Sequence, residues 1–178
     1  MVNNRVLEAI RERRSVSRFR PDAVPDDQLE AVLEAGRWAP SFANSQPWTF
    51  IVVRDAQAKA ALANAADRIT IARKGLAEAP VVIAIVVDPT RDPEHFVEAG
   101  ACAAQNMALA AHSLGLATFW VGALDPSSAK DSAEELLKDV LGVPREHRLI
   151  ALLPLGVAAV QPQKERRELG DVVRNETF

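Results

Sequence analysis

The sequence predicts an α+β fold in which a central sheet is covered by helices. Segments with helical periodicity outnumber the segments rich in β-branched residues. The two kinds of segment do not alternate regularly, as they do in a parallel α/β protein. No repeat, linker or low-complexity tract divides the 178 residues, and this length fits one domain with a sizeable core. We therefore expect a single domain over residues 1–178.

The first third of the chain predicts two helices and a strand. Val2 to Arg13 has the apolar spacing of an amphipathic helix. A second helix is expected from Asp26 or Asp27, which are good N-cap residues, to about Trp38. The β-branched and aromatic run from Thr49 to Arg54 predicts a strand.

The middle third centres on a buried strand and a long helix. The run from Ala56 to Ala66 predicts a helix, and a less regular helical stretch reaches Glu78. The apolar run VVIAIVV between Pro80 and Asp88 is typical of a strand that is buried on both faces. Phe96 to Leu114 predicts a helix that is apolar nearly all round. Such a helix must be covered on every side, and a second subunit is the natural cover.

The last third predicts two strands with a helix between them. Thr118 to Val121 is expected to form a short strand, and Leu149 to Leu155 a longer one. A charged helix is predicted to begin at Ser127 or Ser128 and to reach Leu141, where a glycine closes it. No element is predicted in the polar and basic tail.

Composition excludes several classes of protein. A net charge of −3 argues against a general nucleic-acid partner. A single cysteine, Cys102, excludes an internal disulfide and a cysteine-based metal site. We expect no signal peptide and no membrane span, since the longest apolar run, Ala79 to Val87, is too short to cross a bilayer. A cytoplasmic location is the expectation.

Arg13, Arg14 and Ser15 suit a phosphate group. Two adjacent guanidinium groups provide fixed charge and planar donors, and the hydroxyl adds a further donor. The alternative is that both arginines are solvated charges at a helix C-terminus, where the helix dipole favours cations.

A second polar segment lies between aromatic residues. Its members are rigid or rich in hydrogen-bond donors: Pro40, Ser41, Asn44, Ser45, Gln46 and Pro47, bracketed by Trp38, Phe42 and Trp48. Such a loop can lie against a flat polar ring and bond to its edge, although the same residue types also form ordinary turns. Together with the arginine pair, the loop predicts a flavin mononucleotide (FMN) site.

Three stretches of this chain resemble the nitroreductase family of FMN-dependent oxidoreductases. They are RRSVSRF, EAGRWAPSFANSQPWTFIVV and AAQNMALAAHSLGLATFWVGAL, and the resemblance extends in order from about Val6 to Val173. It implies a mainly antiparallel sheet flanked by helices, in an interlocked homodimer with FMN at the subunit interface.

The resemblance places Arg13, Arg14 and Ser15 on the phosphate and ribityl chain of FMN. Family members usually carry a basic residue two positions after the serine, where this chain has Ser17. Ser17 is therefore a cofactor-site position that departs from the pattern. The adjacent Arg18 is expected to compensate for the missing charge; the alternative is that the phosphate is held with one charge fewer.

Further cofactor contacts follow by resemblance at Pro40, Ser41, Asn44, Gln46, Lys74, Val121, Gly122, Arg166 and Arg167. Lys74 is expected near the N1 and C2=O end of the flavin, where a cation favours the reduced state; the alternative is an exposed helix lysine. Gly122 matches the position where relatives offer a backbone N–H to N5. Of the two tail arginines, Arg166 is the first choice for reaching the phosphate.

The implied activity is hydride transfer from NADH or NADPH through FMN to a small oxidant such as a nitroaromatic or a quinone. No nucleophile–base–acid set and no glycine-rich dinucleotide loop is present in the sequence. One pocket over the ring serves donor and oxidant in turn, which predicts ping-pong kinetics. The alternatives are reductive dehalogenation, flavin fragmentation, or a non-catalytic FMN-binding redox sensor.

Overall fold

The computed structural model describes residues 2, 4–66, 72–127, 129, 131–163 and 165–178. The helices are α1 (Arg5–Glu12), α2 (Asp26–Arg37), α3 (Ala56–Ala65), α4 (Ala72–Glu78), α5 (Phe96–Ser113), α6 (Ala133–Leu141) and α7 (Leu169–Val172). The strands are β1 (Trp48–Val53), β2 (Val81–Val87), β3 (Ala117–Thr118), β4 (Val121–Gly122) and β5 (Arg148–Gly156). A single 3₁₀ turn covers Phe42–Asn44.

The strands form one antiparallel sheet in the order β1-β2-β5-β3, with β4 also paired to β5. Strand β2 lies between β1 and β5, and all of its residues are buried. Because side chains alternate along a strand, Val82, Ala84 and Val86 face one layer of the core while Ile83 and Ile85 face the other. The α+β prediction is confirmed.

The two faces of the sheet are covered by different helices. On one face the core includes Leu62 of α3 and Leu137 of α6. On the other it includes Val32 of α2 and Met107 of α5. Helix α5 approaches β5 closely because it carries Gly100, where a Cβ atom would lie 2.7 Å from Ile150 Cγ1.

The helix capping predicted from sequence was wrong at two helices. Helix α2 begins at Asp26 with Pro25 in the N-cap position, so the aspartates lie in the first turn, where they complement the helix dipole. Helix α6 begins later than expected, because Ser132 caps it by accepting a hydrogen bond from the Glu135 amide at 3.2 Å. Ser127 lies in the preceding turn, and Ser128 is outside the described residues.

Three other element boundaries also differ from prediction. Helix α1 begins at Arg5 rather than Val2, because the Asn4 side chain caps it through the Leu7 amide at 2.9 Å. The single strand expected at 118–121 is split into β3 and β4, which pair with separate stretches of β5. The short helix α7 in the tail was not predicted.

A buried ion pair holds the chain after β4 against β5. Glu134 of α6 is 1% exposed and accepts two hydrogen bonds from Arg148, both at 2.8 Å. The same carboxylate accepts the amides of Asp125 at 2.8 Å and Leu149 at 3.0 Å. Burial raises the pKa of Glu134, but these hydrogen bonds and the charge of Arg148 lower the pKa overall. Each carboxylate oxygen therefore accepts two donors.

Candidate cofactor site

Three arginines gather where α1 ends. Arg13 is the C-cap residue of α1, Arg14 follows it, and Arg166 comes from the tail. Burial lowers the pKa of Arg13, and the charges of Arg166 and Arg14 lower that pKa further. Within the described part of the chain, no ion pair to a carboxylate neutralises any of the three. A cluster of like charges without a counter-ion suits an anionic ligand.

Backbone pairing explains why the tail arginine reaches α1. The segment after Arg14 runs beside β3, with the Val16 amide donating to the Thr118 carbonyl at 3.1 Å. Phe19 then pairs with Ala158, where the chain has just left β5. These bridges place the start of the tail against the segment that follows α1. Arg166 can therefore approach Arg13, although the two residues lie far apart in the sequence.

A hollow beside the arginine cluster is lined by small residues of α5. It consists of two adjoining cavities of about 210 and 170 Å³, both bordered by Arg13, Ala108 and Thr118. Ser15 lines the smaller cavity, as does Gln105. The small side chains along this face of α5 leave the space open. The structure therefore brings Arg13, Arg14 and Ser15 together around the two cavities, with Arg166 close enough for its charge to act on Arg13.

Several residues of this hollow were not predicted. Gln105 and His112 are not among the expected site residues, but both line the hollow. Thr118 Oγ1 is buried without a hydrogen-bond partner among the described residues. The spacing of Gln105, Ala108 and His112 on one side of α5 was the available signal, since residues three and four apart share a helix face.

Ser17 lies against α4 rather than among the arginines. A Cβ atom on Gly75 would lie 3.1 Å from the Ser17 carbonyl oxygen, so the two backbones are in close contact. Glu78 of the same helix pairs with Arg18 at 3.7 Å and with Lys74 at 3.5 Å. Arg18, expected to compensate for Ser17, therefore has a carboxylate partner of its own, and Lys74 shares that partner.

Val121 and Gly122 lie at the end of the sheet. Val121 is buried opposite Leu152, and Gly122 is exposed opposite Ala151. The hydrogen bond from the Asp125 amide to Glu134 fixes the chain three residues after Gly122. Gly122 therefore presents an exposed backbone on a rigid support.

The polar loop is strained and firmly held. Ala43, Asn44 and Gln46 have positive φ angles of 48°, 58° and 46°. Non-glycine residues in this region cost free energy, and they occur mostly where function requires them. The Gln46 amide donates to Ser41 Oγ at 3.0 Å, while Pro40, Asn44 and Gln46 stay exposed. Outside the loop, Arg91 donates to the Gln46 carbonyl at 3.0 Å.

The loop and the arginine cluster lie at different positions along α5. Phe42 of the loop stacks on His95, which precedes the first turn of α5, with ring centroids 4.5 Å apart. The arginine cluster borders Gln105 and His112, which lie roughly 15 and 25 Å further along the helix axis. One chain therefore does not bring the two predicted halves of the site together. Arg167 donates a hydrogen bond to the Asp171 carbonyl within the tail at 3.4 Å.

Comparison with known proteins shows the family to which the chain belongs. The model of the Nitroreductase family matches residues 10–157, which include α2, the polar loop, α5 and the whole sheet. The chain belongs to the nitroreductase family. A relative from Methanothermobacter thermautotrophicus, provisionally named an NADH dehydrogenase/NAD(P)H nitroreductase, is 30% identical over 88% of this chain and 79% of its own length.

Solved structures share the whole nitroreductase fold. A provisionally named nitroreductase from Desulfovibrio desulfuricans, determined in complex with FMN, is 31% identical with a TM-score of 0.80 and covers 99% of both chains. A provisionally named NADH dehydrogenase/NAD(P)H nitroreductase from Bacteroides thetaiotaomicron has a TM-score of 0.89 at 26% identity. It covers 99% of this chain and 100% of its own.

The described part of the chain has neither a metal-binding cluster nor a membrane-spanning helix. No group of three or more histidine, cysteine or acidic side chains there is placed to hold a metal ion. Among the described helices, none combines the length and the apolar character that a bilayer crossing requires.

Proposed function

We propose that this nitroreductase-family protein is an FMN-dependent oxidoreductase that transfers hydride from NADH or NADPH to a small oxidant such as a nitroaromatic or a quinone. The observation that carries the proposal is the cluster of Arg13, Arg14 and Arg166, which has no carboxylate partner in the described chain and borders a hollow. The FMN-bound neighbour and the NAD(P)H-dependent relatives support it.

The residues present fit FMN at its phosphate end and at its ring. Arg13, Arg14 and Arg166 would hold the phosphate, and Ser15 would bond to the phosphate or the ribityl chain. Gly122 would present its backbone N–H to the ring, and Lys74 would supply a cation. When bound, FMN supplies the two-electron chemistry, while the protein binds and orients it.

A second copy of the chain completes the proposed site. The polar loop and the arginine cluster are roughly 15–25 Å apart along α5, so a homodimer would place the loop of one chain against the cluster of the other. Apolar side chains that the chain leaves exposed support an interface, including Val6 at 64%, Trp38 at 71% and Leu169 at 74%. Helix α1 buries none of its residues within its own chain.

Donor and oxidant would use the same pocket in turn, which gives ping-pong kinetics. The sequence contains no separate dinucleotide motif, so the nicotinamide and the oxidant are both expected over the ring. Use of NAD(P)H fits a cytoplasmic location.

The test is the visible spectrum of the purified protein under anaerobic conditions. We expect flavin absorption that bleaches when NADPH or NADH is added and returns when a quinone or nitroaromatic follows. A protein that binds FMN but is not bleached by either donor would instead support the sensor alternative. A protein that stays colourless after FMN is added would overturn the proposal.

A further inference from the structure

A buried aspartate holds a histidine beside the polar loop. Asp92 is 3% exposed, and its Oδ1 accepts the His95 amide at 3.0 Å and lies 3.3 Å from His95 Nδ1. Its Oδ2 accepts the Ser45 hydroxyl at 3.3 Å. The imidazole in turn stacks on Phe42 at a centroid distance of 4.5 Å. Asp92, His95 and the loop therefore form one connected unit, which we call the loop dyad unit.

The carboxylate of Asp92 is in its charged form. Burial raises the pKa of Asp92, but hydrogen bonds from the His95 amide and ring, together with the charge of that ring, lower the pKa overall. The bond from the His95 amide alone would suffice to hold the turn before α5, whose N-cap residue is His95 itself. The contact with the ring also sets the tautomer of His95. A carboxylate beside Nδ1 keeps the proton on Nδ1, so Nε2 is left to exchange a proton with a ligand.

The imidazole is both oriented and accessible. The side chain of His95 is 41% exposed, although Phe42 covers one face of the ring. Pro40 and Ser41, which the family resemblance places against the flavin ring, immediately precede Phe42. Since His95 is fixed to the loop, it stands at the edge of the ring wherever the loop meets it, whether the ring belongs to the same chain or to a partner.

We propose that His95 is a catalytic acid that delivers a proton to the oxidant, with Asp92 as its positioning residue. This inference rests on the proposed function and deepens it, because it adds an acid to that site. For a quinone, the hydride supplies two electrons and one proton to the ring system. The second proton moves from Nε2 of the imidazolium to the quinone oxygen, forming the hydroquinone. Neutral His95 then takes a proton from water.

Asp92 is the carboxylate in contact with the ring, and Arg91 of the same segment donates to the Gln46 carbonyl of the loop at 3.0 Å. The loop residues 41–46 contain no ionisable side chain, and Phe42 among them packs against the ring. Because the proposed proton donor is the imidazolium of His95, the reduced protein is expected to react with the oxidant more slowly as pH rises.

The experiment separates the two half-reactions in FMN-loaded His95→Gln. Stopped-flow absorbance follows reduction by NADPH, and then oxidation of dithionite-reduced protein by benzoquinone between pH 5 and 9. We expect the reduction rate to stay within about twofold of wild type, and the oxidation rate to fall about 100-fold, the lower range for general acid catalysis. The pH dependence of oxidation should also be lost. His147→Gln is the matched control, because His147 belongs to the α6–β5 connection, where its amide donates to the Pro144 carbonyl, and is not part of the loop dyad unit.

Two binding measurements exclude a merely structural effect. The FMN dissociation constant should be unchanged in His95→Gln, whereas benzoate should bind to the oxidised protein about 3- to 10-fold more weakly, since a charge-assisted hydrogen bond is lost. Asp92→Asn should show an intermediate loss of oxidation rate.

Each outcome bears on one of the two proposals. Normal reduction with unchanged oxidation and benzoate affinity in His95→Gln would refute the role of His95 and leave the proposed function intact. A wild-type protein that neither NADPH nor NADH reduces would overturn the proposed function, and the role of His95 with it.

Discussion

Replacement of Arg13 by glutamine separates phosphate recognition from every other contact with the cofactor. Arg13, Arg14 and Arg166 are close enough that the charges of the other two lower the pKa of Arg13. A hydrogen bond to a charged group is worth about 1.5–3 kcal/mol. Loss of one such bond should weaken FMN binding about 10- to 150-fold. Riboflavin lacks the phosphate, so its affinity should change little.

The empty protein should respond in the opposite direction. Without an anion, the three guanidinium groups repel one another, and Arg13 is in addition partly buried. Removing its charge relieves that repulsion. The melting temperature of the apo-protein should therefore stay the same or rise, although the cofactor binds more weakly. A more stable apo-protein that binds FMN more weakly would indicate that the arginines are held close together for the ligand, at a cost to the stability of the empty protein.

The assay is a titration of apo-protein with FMN and with riboflavin. Quenching of the flavin fluorescence reports binding, and the titration is carried out at two salt concentrations. Arg54→Gln is the matched control, because it removes the same charge beyond β1, at the edge of the sheet opposite β3. An equal loss of affinity for FMN and riboflavin in Arg13→Gln would refute the phosphate assignment. A loss below threefold, or one matched by Arg54→Gln, would refute it as well.

Two further predictions concern the buried ion pair of Glu134 and Arg148 and the midpoint potential of bound FMN. Glu134→Gln leaves Arg148 and two buried amides facing an amide group, so we expect a loss of about 3–5 kcal/mol, or roughly 6–20 °C in melting temperature. Glu34→Gln removes an exposed carboxylate that pairs with Arg37 and should cost far less stability. Because the fold lowers the pKa of Glu134, its contribution is full above about pH 4.3 and is lost as pH falls through the folded value, so the difference between wild type and Glu134→Gln should shrink in acid. Lys74→Met should lower the midpoint potential of bound FMN by roughly 10–20 mV, measured by dye-coupled titration, because an exposed charge contributes about 0.5–1 kcal/mol. An unchanged potential would favour the reading of Lys74 as an exposed helix lysine.

The features that sequence predicted well are those with a strong local cause. The run VVIAIVV has no polar residue to place at a surface, and it forms the strand that is buried on both faces. The apolar, alanine-rich stretch forms α5 within one residue of its expected ends. The caps were less predictable, because serine and aspartate occur in ordinary turns as often as at helix starts. Ser132 caps α6, although Ser127 precedes it in the same polar segment.

Placement of the site depended on long-range pairing that local patterns do not encode. The approach of Arg166 to Arg13 follows from the bridge between Phe19 and Ala158, two segments with no sequence signal for pairing. The loop dyad unit was missed for the same reason. Asp92 and His95 lie in a turn-rich link that predicts no chemistry until the fold sets it against Phe42.

The two ends of α5 explain why cofactor binding and assembly are expected to be coupled. The polar loop is fixed near the N-terminal end, through Phe42 and His95, while the arginine cluster borders the second half of the helix, through Gln105 and His112. In a dimer with two-fold symmetry, the contact from the loop of the first chain to the cluster of the second is repeated in reverse. In the proposed homodimer, two chains that each carry both halves of the site too far apart would therefore give two complete sites. Neither site would form alone, because the same symmetric contact would create both.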